Sequence, residues 1–169
     1  MTDHTRNDAR FARRRAVRRI LFVILVAALV GGAYAFYLFN MPQRDVQATA
    51  TDARIEAGAL AQEFLSDANT ANAKYLDAEG DSKVLEVSGT VSSIETDLSG
   101  QSVVTLSSEA SPAGVRCSFT AATNAQVAEL RTGDAATIKG VIRAGASYDP
   151  DLELYEHVVL EKCALVPSN

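Results

Sequence analysis

Cys117 and Cys163 are the chain's only thiols. A structural metal site needs more ligands than two cysteines, and nothing close in sequence supplies them. The C-x-x-C spacing of a redox-active pair is absent. Two states remain. One is a disulfide, which would close a loop of about 46 residues and contribute on the order of 4 kcal/mol. The other is two separate buried thiols packing as small hydrophobes. The disulfide is the expected state where the segment carrying both cysteines is exported.

Other reactive side chains are sparse. His157 is the sole histidine outside the N-terminal tail, where His4 lies. No Ser/His/Asp arrangement can be built around it from spacing, so it reads as a solvated or sheet-face residue. Asp149, Asp151, Glu153 and Glu156 crowd one stretch. Hard cations take oxygen ligands, but the spacing departs from the twelve-residue calcium loop, and a solvated acidic loop is expected. Tyr148 and Tyr155 bracket that loop. No catalytic residue, metal or cofactor is assigned, and no enzymatic activity is expected.

These residues sit in a chain split by charge. Seven arginines (Arg6, Arg10, Arg13, Arg14, Arg15, Arg18 and Arg19) precede Ile20–Phe39, a run of twenty residues without a charge. A helix of that length spans roughly 30 Å, the thickness of a bilayer's hydrocarbon core. A basic flank stays in the cytoplasm, so the chain is expected to be a single-pass protein of a bacterial inner membrane. Residues 1–19 would lie inside and the C-terminal domain in the periplasm or its equivalent. Ala33-Tyr34-Ala35 has the small-x-small form of a cleavage site, yet the apolar run continues past it, which favours an uncleaved anchor. Arg18-Arg19 resembles a twin-arginine signal only as any arginine-rich flank does. No cysteine near the run can take a lipid.

The overall charge of −5 conceals an acidic outer part, because the N-terminal tail is basic. An acidic domain repels polyanions, and the expectation from charge is that nucleic acid is not a partner. The expected partners are the inner membrane and an unknown envelope protein or small ligand.

Pro42 discourages the membrane helix from continuing, and residues 40–51 read as a short tether. Leu60, Phe64, Ala68, Ala71 and Tyr75 then fall on one helical face, predicting an amphipathic helix from about Thr51 or Asp52 to Leu76, with a polar connection to residue 82. From Lys83 the texture changes to short β-rich runs. Lys83–Glu95 alternates through Leu85, Val87, Gly89 and Val91, and Ile94 falls out of phase as at a bulge. Further strands are expected at Ser102–Ser107, Val115–Thr120, Ala135–Ala144 and Leu154–Val166. A helix is expected near Thr123–Leu130, and the longest loop at Gly145–Glu153. In the third run Val115, Cys117 and Phe119 point one way and Arg116 and Ser118 the other.

Five strands with one helix between the third and fourth match an all-β fold with added helices, the five-stranded Greek-key OB barrel, over residues 83–167. In that fold the loops joining strands one to two and four to five flank the ligand face. Arg116, Tyr148, Tyr155 and His157 are therefore the ligand-face candidates. Cys117 and Cys163 fall on neighbouring strands.

Several stretches in order resemble the tRNA_anti-like family: Ala71-Asn72-Ala73-Lys74-Tyr75-Leu76, Val87-Ser88-Gly89-Thr90-Val91, Val115-Arg116-Cys117-Ser118-Phe119, Leu130-Arg131-Thr132-Gly133-Asp134, Thr137-Ile138-Lys139-Gly140 and Val159–Val166. The resemblance runs from about residue 55 to 166. It implies the OB fold and an envelope location, and it carries over no catalytic residue. The layout is also similar to that of the haem chaperone of cytochrome c maturation. That likeness implies a periplasmic carrier, in which Cys163 would have to serve as the attachment residue. Lys162–Pro167 lacks the family's histidine and tyrosine.

Overall fold

The computed structural model describes residues 22, 24–37, 45–78 and 80–167. The chain divides into two units, Met1–Gln43 and Arg44–Asn169. In the first, residues 24–37 form a helix, α1, whose Ile24, Leu25, Leu29, Val30 and Phe36 are exposed. No helix among the described residues is long and apolar enough to cross a membrane. Of the expected span Ile20–Phe39, the structure describes residues 22 and 24–37, all of them helical. Residues 20, 21, 23, 38 and 39 lie outside the described ones, as does the arginine-rich tail.

In the second unit, residues 45–50 of the segment read from sequence as a short tether are bound to the barrel. Val46 is buried with Val84 and Val141. Lys139 Nζ donates to the carbonyls of Gln47 at 3.1 Å and Thr49 at 2.7 Å. Gln47 Nε2 donates to the carbonyl of Lys162 at 2.7 Å.

One long helix was expected next, and the structure builds three elements. Strand β1 (Ala53–Glu56) pairs in parallel with β2 (Val84–Thr96). Helix α2 (Ala57–Ser66) follows, capped by Glu56, whose carboxylate accepts the Ala59 N–H at 3.0 Å. Helix α3 (Ala68–Tyr75) starts afresh after Asp67. The Asp67 carboxylate accepts the N–H of Thr70 at 3.1 Å and its hydroxyl at 2.6 Å. An aspartate satisfying free N–H groups at a helix start is a strong N-cap, and the cap breaks the helix there. Leu60, Ala61, Phe64, Ala71 and Tyr75 nevertheless face one core.

The remaining strands are β3 (Ser102–Ser107), β4 (Val115–Phe119), β5 (Ala135–Ala144), β6 (Ser147–Asp149), β7 (Leu154–Glu156) and β8 (Val158–Leu165). The order β2-β3-β4-β8-β5 closes because β2 also pairs with β5, giving a five-stranded barrel with β1 as an added edge strand. Closure leaves those five strands fully paired and removes exposed edges. The register of β2 on β3 steps between Val91 and Ser93, which is the bulge expected from Ile94. Between β4 and β5 the helix is a 3-10 helix, Asn124–Glu129. It is tied down by Thr123 Oγ1 donating to the Cys163 carbonyl at 2.6 Å and by Gln126 Oε1 accepting the Leu165 N–H at 2.9 Å.

Glu86 joins β1 to the barrel. Its carboxylate accepts the Thr51 hydroxyl at 2.6 Å and Arg54 Nε at 2.6 Å. The Thr51 hydrogen bond first, and Arg54 with it, hold the Glu86 carboxyl below its ordinary value of 4.5. A depressed carboxylate stabilises the fold above its unfolded pKa, and that contribution is lost as pH falls through the folded one. Glu86→Gln is expected to cost about 1 kcal/mol at neutral pH. The gap between variant and wild type should close on acidification below about pH 4.5. Denaturant unfolding at neutral pH and near pH 3 measures this, and a gap unchanged in acid would refute it.

Candidate functional site

The acidic stretch read as a loop is a hairpin that forms a separate two-stranded sheet. Strands β6 and β7 pair antiparallel, with Tyr148 opposite Tyr155, Ser147 opposite Glu156 and Asp149 opposite Leu154. Asp149 Oδ1 accepts the N–H groups of Asp151 at 2.8 Å and Leu152 at 3.1 Å, which shapes the turn. Glu153 takes a positive φ of 51° to complete it. The Ser147 hydroxyl bonds the Glu156 carboxylate at the hairpin's base. Directly opposed residues in an antiparallel pair share a face, so the two tyrosine rings meet. Their centroids lie 4.9 Å apart at an interplanar angle of 49°. Tyr148 is 49% and Tyr155 42% exposed, and Leu152 and Leu154 are exposed beside them. An aromatic pair left open to water is a contact surface of the kind that stacks on a flat or apolar-faced ligand.

Arg116 lies on the outer face of β4, paired with Thr105 of β3 and Val159 of β8. Its Nη2 sits 3.4 Å from Glu95 Oε2, an exposed ion pair that leaves guanidinium donors available. Phe119 is buried on the opposite side, in line with the alternation of this strand. His157 separates β7 from β8. Its Nδ1 accepts the Gly114 N–H at 2.9 Å, so this nitrogen is occupied in holding the turn before β4.

Cys117 and Cys163 are both free and fully buried, and the expected disulfide is corrected accordingly. They lie on adjoining strands, Cys117 opposite Leu160 and, past an extra residue in β8, Cys163 opposite Phe119, and the two thiols adjoin in the core without a covalent bond. Burial pushes the Cys163 thiol well above its ordinary range, and the Cys117 thiol beside it adds to the shift. The thiolate is the nucleophile and metal ligand, so this thiol is inert at neutral pH. A fully buried sulfur also offers no surface attachment point for a carried group.

One surface feature escaped the sequence. A groove of about 980 Å³ crosses the outer side of β2 and β5 and includes Ser88, Thr90, Thr137, Glu56, Glu109 and Glu129 in its lining. These residues come from five separate segments, and no local pattern unites them.

The model of the tRNA_anti-like family matches residues 1–152. The chain belongs to the tRNA_anti-like family. No curated protein matches it. Among solved structures it is similar to a lipoprotein of Klebsiella pneumoniae subsp. pneumoniae whose name proposes nucleic-acid binding. The match has a TM-score of 0.51 at 21% identity and covers 75% of this chain and all of the other. At that identity the likeness shows the fold, which agrees with the OB barrel.

The exclusion of nucleic acid is corrected by this comparison, since a tRNA_anti-like protein shares its OB fold with a structure named for nucleic-acid binding. The exclusion rested on a net charge summed over the whole domain and on Arg116 and Phe119 falling on opposite faces of their strand. Binding is decided by the potential of one face. Several carboxylates behind that sum are already paired, among them Glu86 with Arg54, Glu63 with Lys74, Glu95 with Arg116 and Glu161 with Arg143.

Proposed function

We propose that this tRNA_anti-like protein is a non-enzymatic binding module of the bacterial envelope, held at the outer side of the inner membrane by its N-terminal apolar segment. The anchor reading is supported by the uncharged run Ile20–Phe39, the arginine flank and the exposed apolar side chains of α1. The ligand is taken on the patch between the Thr96–Gln101 turn and the β6–β7 hairpin, where OB folds take theirs. The exposed Tyr148–Tyr155 pair carries this reading. Arg116, ion-paired with Glu95 on the outer face of β4, is the cation we assign to the ligand face.

Single-stranded oligonucleotide is the first probe, because every base has a face that stacks on tyrosine. The full-length chain is titrated with a labelled oligonucleotide and with an abasic strand of equal charge. Binding is expected to depend on the bases. Each lost base stack is worth about 1–3 kcal/mol, so Tyr148→Ala with Tyr155→Ala should weaken binding by roughly tenfold or more. Equal affinity for the abasic strand, or binding unmoved by the double substitution, would refute the stacking site.

A further inference from the structure

The tyrosine patch lies in an acidic setting, and that setting constrains how a ligand can sit on it. Between Arg143 and Lys162 the chain has no lysine or arginine, whereas Asp149, Asp151, Glu153 and Glu156 all fall in that stretch. Among the described residues none of these four carboxylates is paired with a base. Across the ligand face, residues 96–119 hold a single base, Arg116, and its guanidinium is already 3.4 Å from Glu95. Asp97 adds a carboxylate in the flanking turn.

The hairpin separates aromatic surface from charge. Successive side chains of a strand point to opposite faces. Tyr148 opposite Tyr155 therefore makes one face, and Ser147 opposite Glu156 with Asp149 opposite Leu154 makes the reverse. The aromatic face carries no charged side chain of either strand, so a flat neutral ring can lie on it. A phosphate held at the same place is repelled. Neighbouring Cα atoms are about 3.8 Å apart, so the charges next in sequence to the tyrosines act within the Debye length of about 8 Å. Leu98 in the flanking turn and Leu152 on the hairpin are exposed, so both loops present apolar surface where a backbone-gripping groove presents cations.

We infer that this patch takes nucleobases by their faces and turns the phosphate backbone away to solvent, with one phosphate contact at most, at Arg116. Its ligand class is a base-bearing molecule poor in negative charge, and a fully charged strand is the more weakly held member of that class. This rests on the stacking site proposed above and specifies its mode of docking. An acidic domain and a site for bases are compatible on these terms.

The test uses two short single strands of one base sequence, one with a phosphodiester backbone and one with an uncharged methylphosphonate backbone. Each is titrated onto the full-length chain. Binding is read from the ring NMR signals of isotope-labelled Tyr148 and Tyr155, so that attraction of a strand to the arginine-rich tail is not counted. The methylphosphonate strand is expected to bind severalfold more tightly at low salt, and the difference should narrow as salt screens the carboxylates. Phosphodiester binding should fall with salt at a log–log slope no steeper than about −0.7, the value for one phosphate contact on a single strand. Asp151→Asn with Glu153→Gln should raise phosphodiester affinity by roughly twofold to fivefold, the scale of an exposed charge contact. The same variant should leave methylphosphonate binding as it was. A phosphodiester strand that shifts the rings and binds as tightly as the uncharged one, or more tightly, would overturn the inference while the stacking site stands. So would a charge variant that moves both strands alike or neither. No shift of either ring with either strand would refute the stacking site itself, and this inference with it.

Discussion

Phe64→Ala is expected to destabilise the Arg44–Asn169 unit by about 3–5 kcal/mol, the range for removing a buried aromatic ring. Phe64 is 2% exposed, and its ring lies 5.8 Å from that of Tyr75, centroid to centroid. It therefore fastens α2 to α3. The same ring packs on Gly145, where an added Cβ would come 2.1 Å from Phe64 Cδ1. Gly145 lies between the end of β5 and the start of β6, so this one side chain joins the helical layer to the base of the tyrosine hairpin. Losses of this size are a large part of an ordinary domain stability of about 5–15 kcal/mol. Denaturant unfolding of the full-length chain measures the loss. Hydrogen exchange should also quicken at residues 147–156, because the hairpin loses its support from α2. A loss below about 1 kcal/mol would mean that α2 is an appendage that peels away without disturbing the core.

What could be read in the sequence depended on burial leaving a periodic trace. Strands β2 to β5 follow runs such as Leu85/Val87/Val91 and Val115/Cys117/Phe119, where one face is inside the barrel and the alternation is forced. The break at Asp67 left no such trace. Leu60, Phe64, Ala71 and Tyr75 keep helical phase across it, and only the capping bonds to Thr70 reveal the new start. Strand β1 is four residues long, too short for a period to register, and it is placed by pairing with β2 thirty-odd positions away. The β6–β7 hairpin is hidden for a different reason. Leu154, Tyr155 and Glu156 are all exposed, so no inside face imposes an alternation. The tyrosines were identifiable by type, and their contact follows from a register that the sequence does not display.

The same reasoning separates the two outcomes for the candidate residues. Arg116 was placed by parity alone, since Val115 and Cys117 on either side of it are buried. The cysteines were matched by strand neighbourhood, which ignores register. With an extra residue in β8, Cys163 sits opposite Phe119, and the two thiols lie side by side in the core, unbonded, as small apolar groups. Summed charge failed in a related way when it was used to judge a partner, because it carries no information on which carboxylates are paired. The groove illustrates this from the other side. Glu56, Glu109 and Glu129 are scattered in sequence, and only the folding of β1, β3 and the 3-10 helix around β2 brings them to one surface.

Gly114→Ala should have the second large effect on the fold, on the order of 3 kcal/mol, near the upper end for forcing atoms into a packed site. A Cβ at position 114 would fall 2.3 Å from the carbonyl oxygen of Leu106. That oxygen belongs to the backbone of β3, so no side-chain rotation relieves the contact, and β3 and β4 must separate where Leu106 pairs with Val115. On its other flank Gly114 is bonded to the start of β8. Its N–H donates to His157 Nδ1 at 2.9 Å, and its carbonyl accepts the Val158 N–H at 3.0 Å. Moving Gly114 away from Leu106 strains both bonds. His157→Ala alone removes only the acceptor and is expected to cost about 1–3 kcal/mol through the unsatisfied N–H. Because both substitutions act on one corner, their effects should not add. Gly114→Ala already displaces the N–H that His157 holds, so the double variant should lose less than the sum of the singles by about 1 kcal/mol. Unfolding of the two single variants and the double variant measures this coupling. Strict additivity would show that His157 does not support the Gly114 turn, and would release its imidazole for a role on the ligand face.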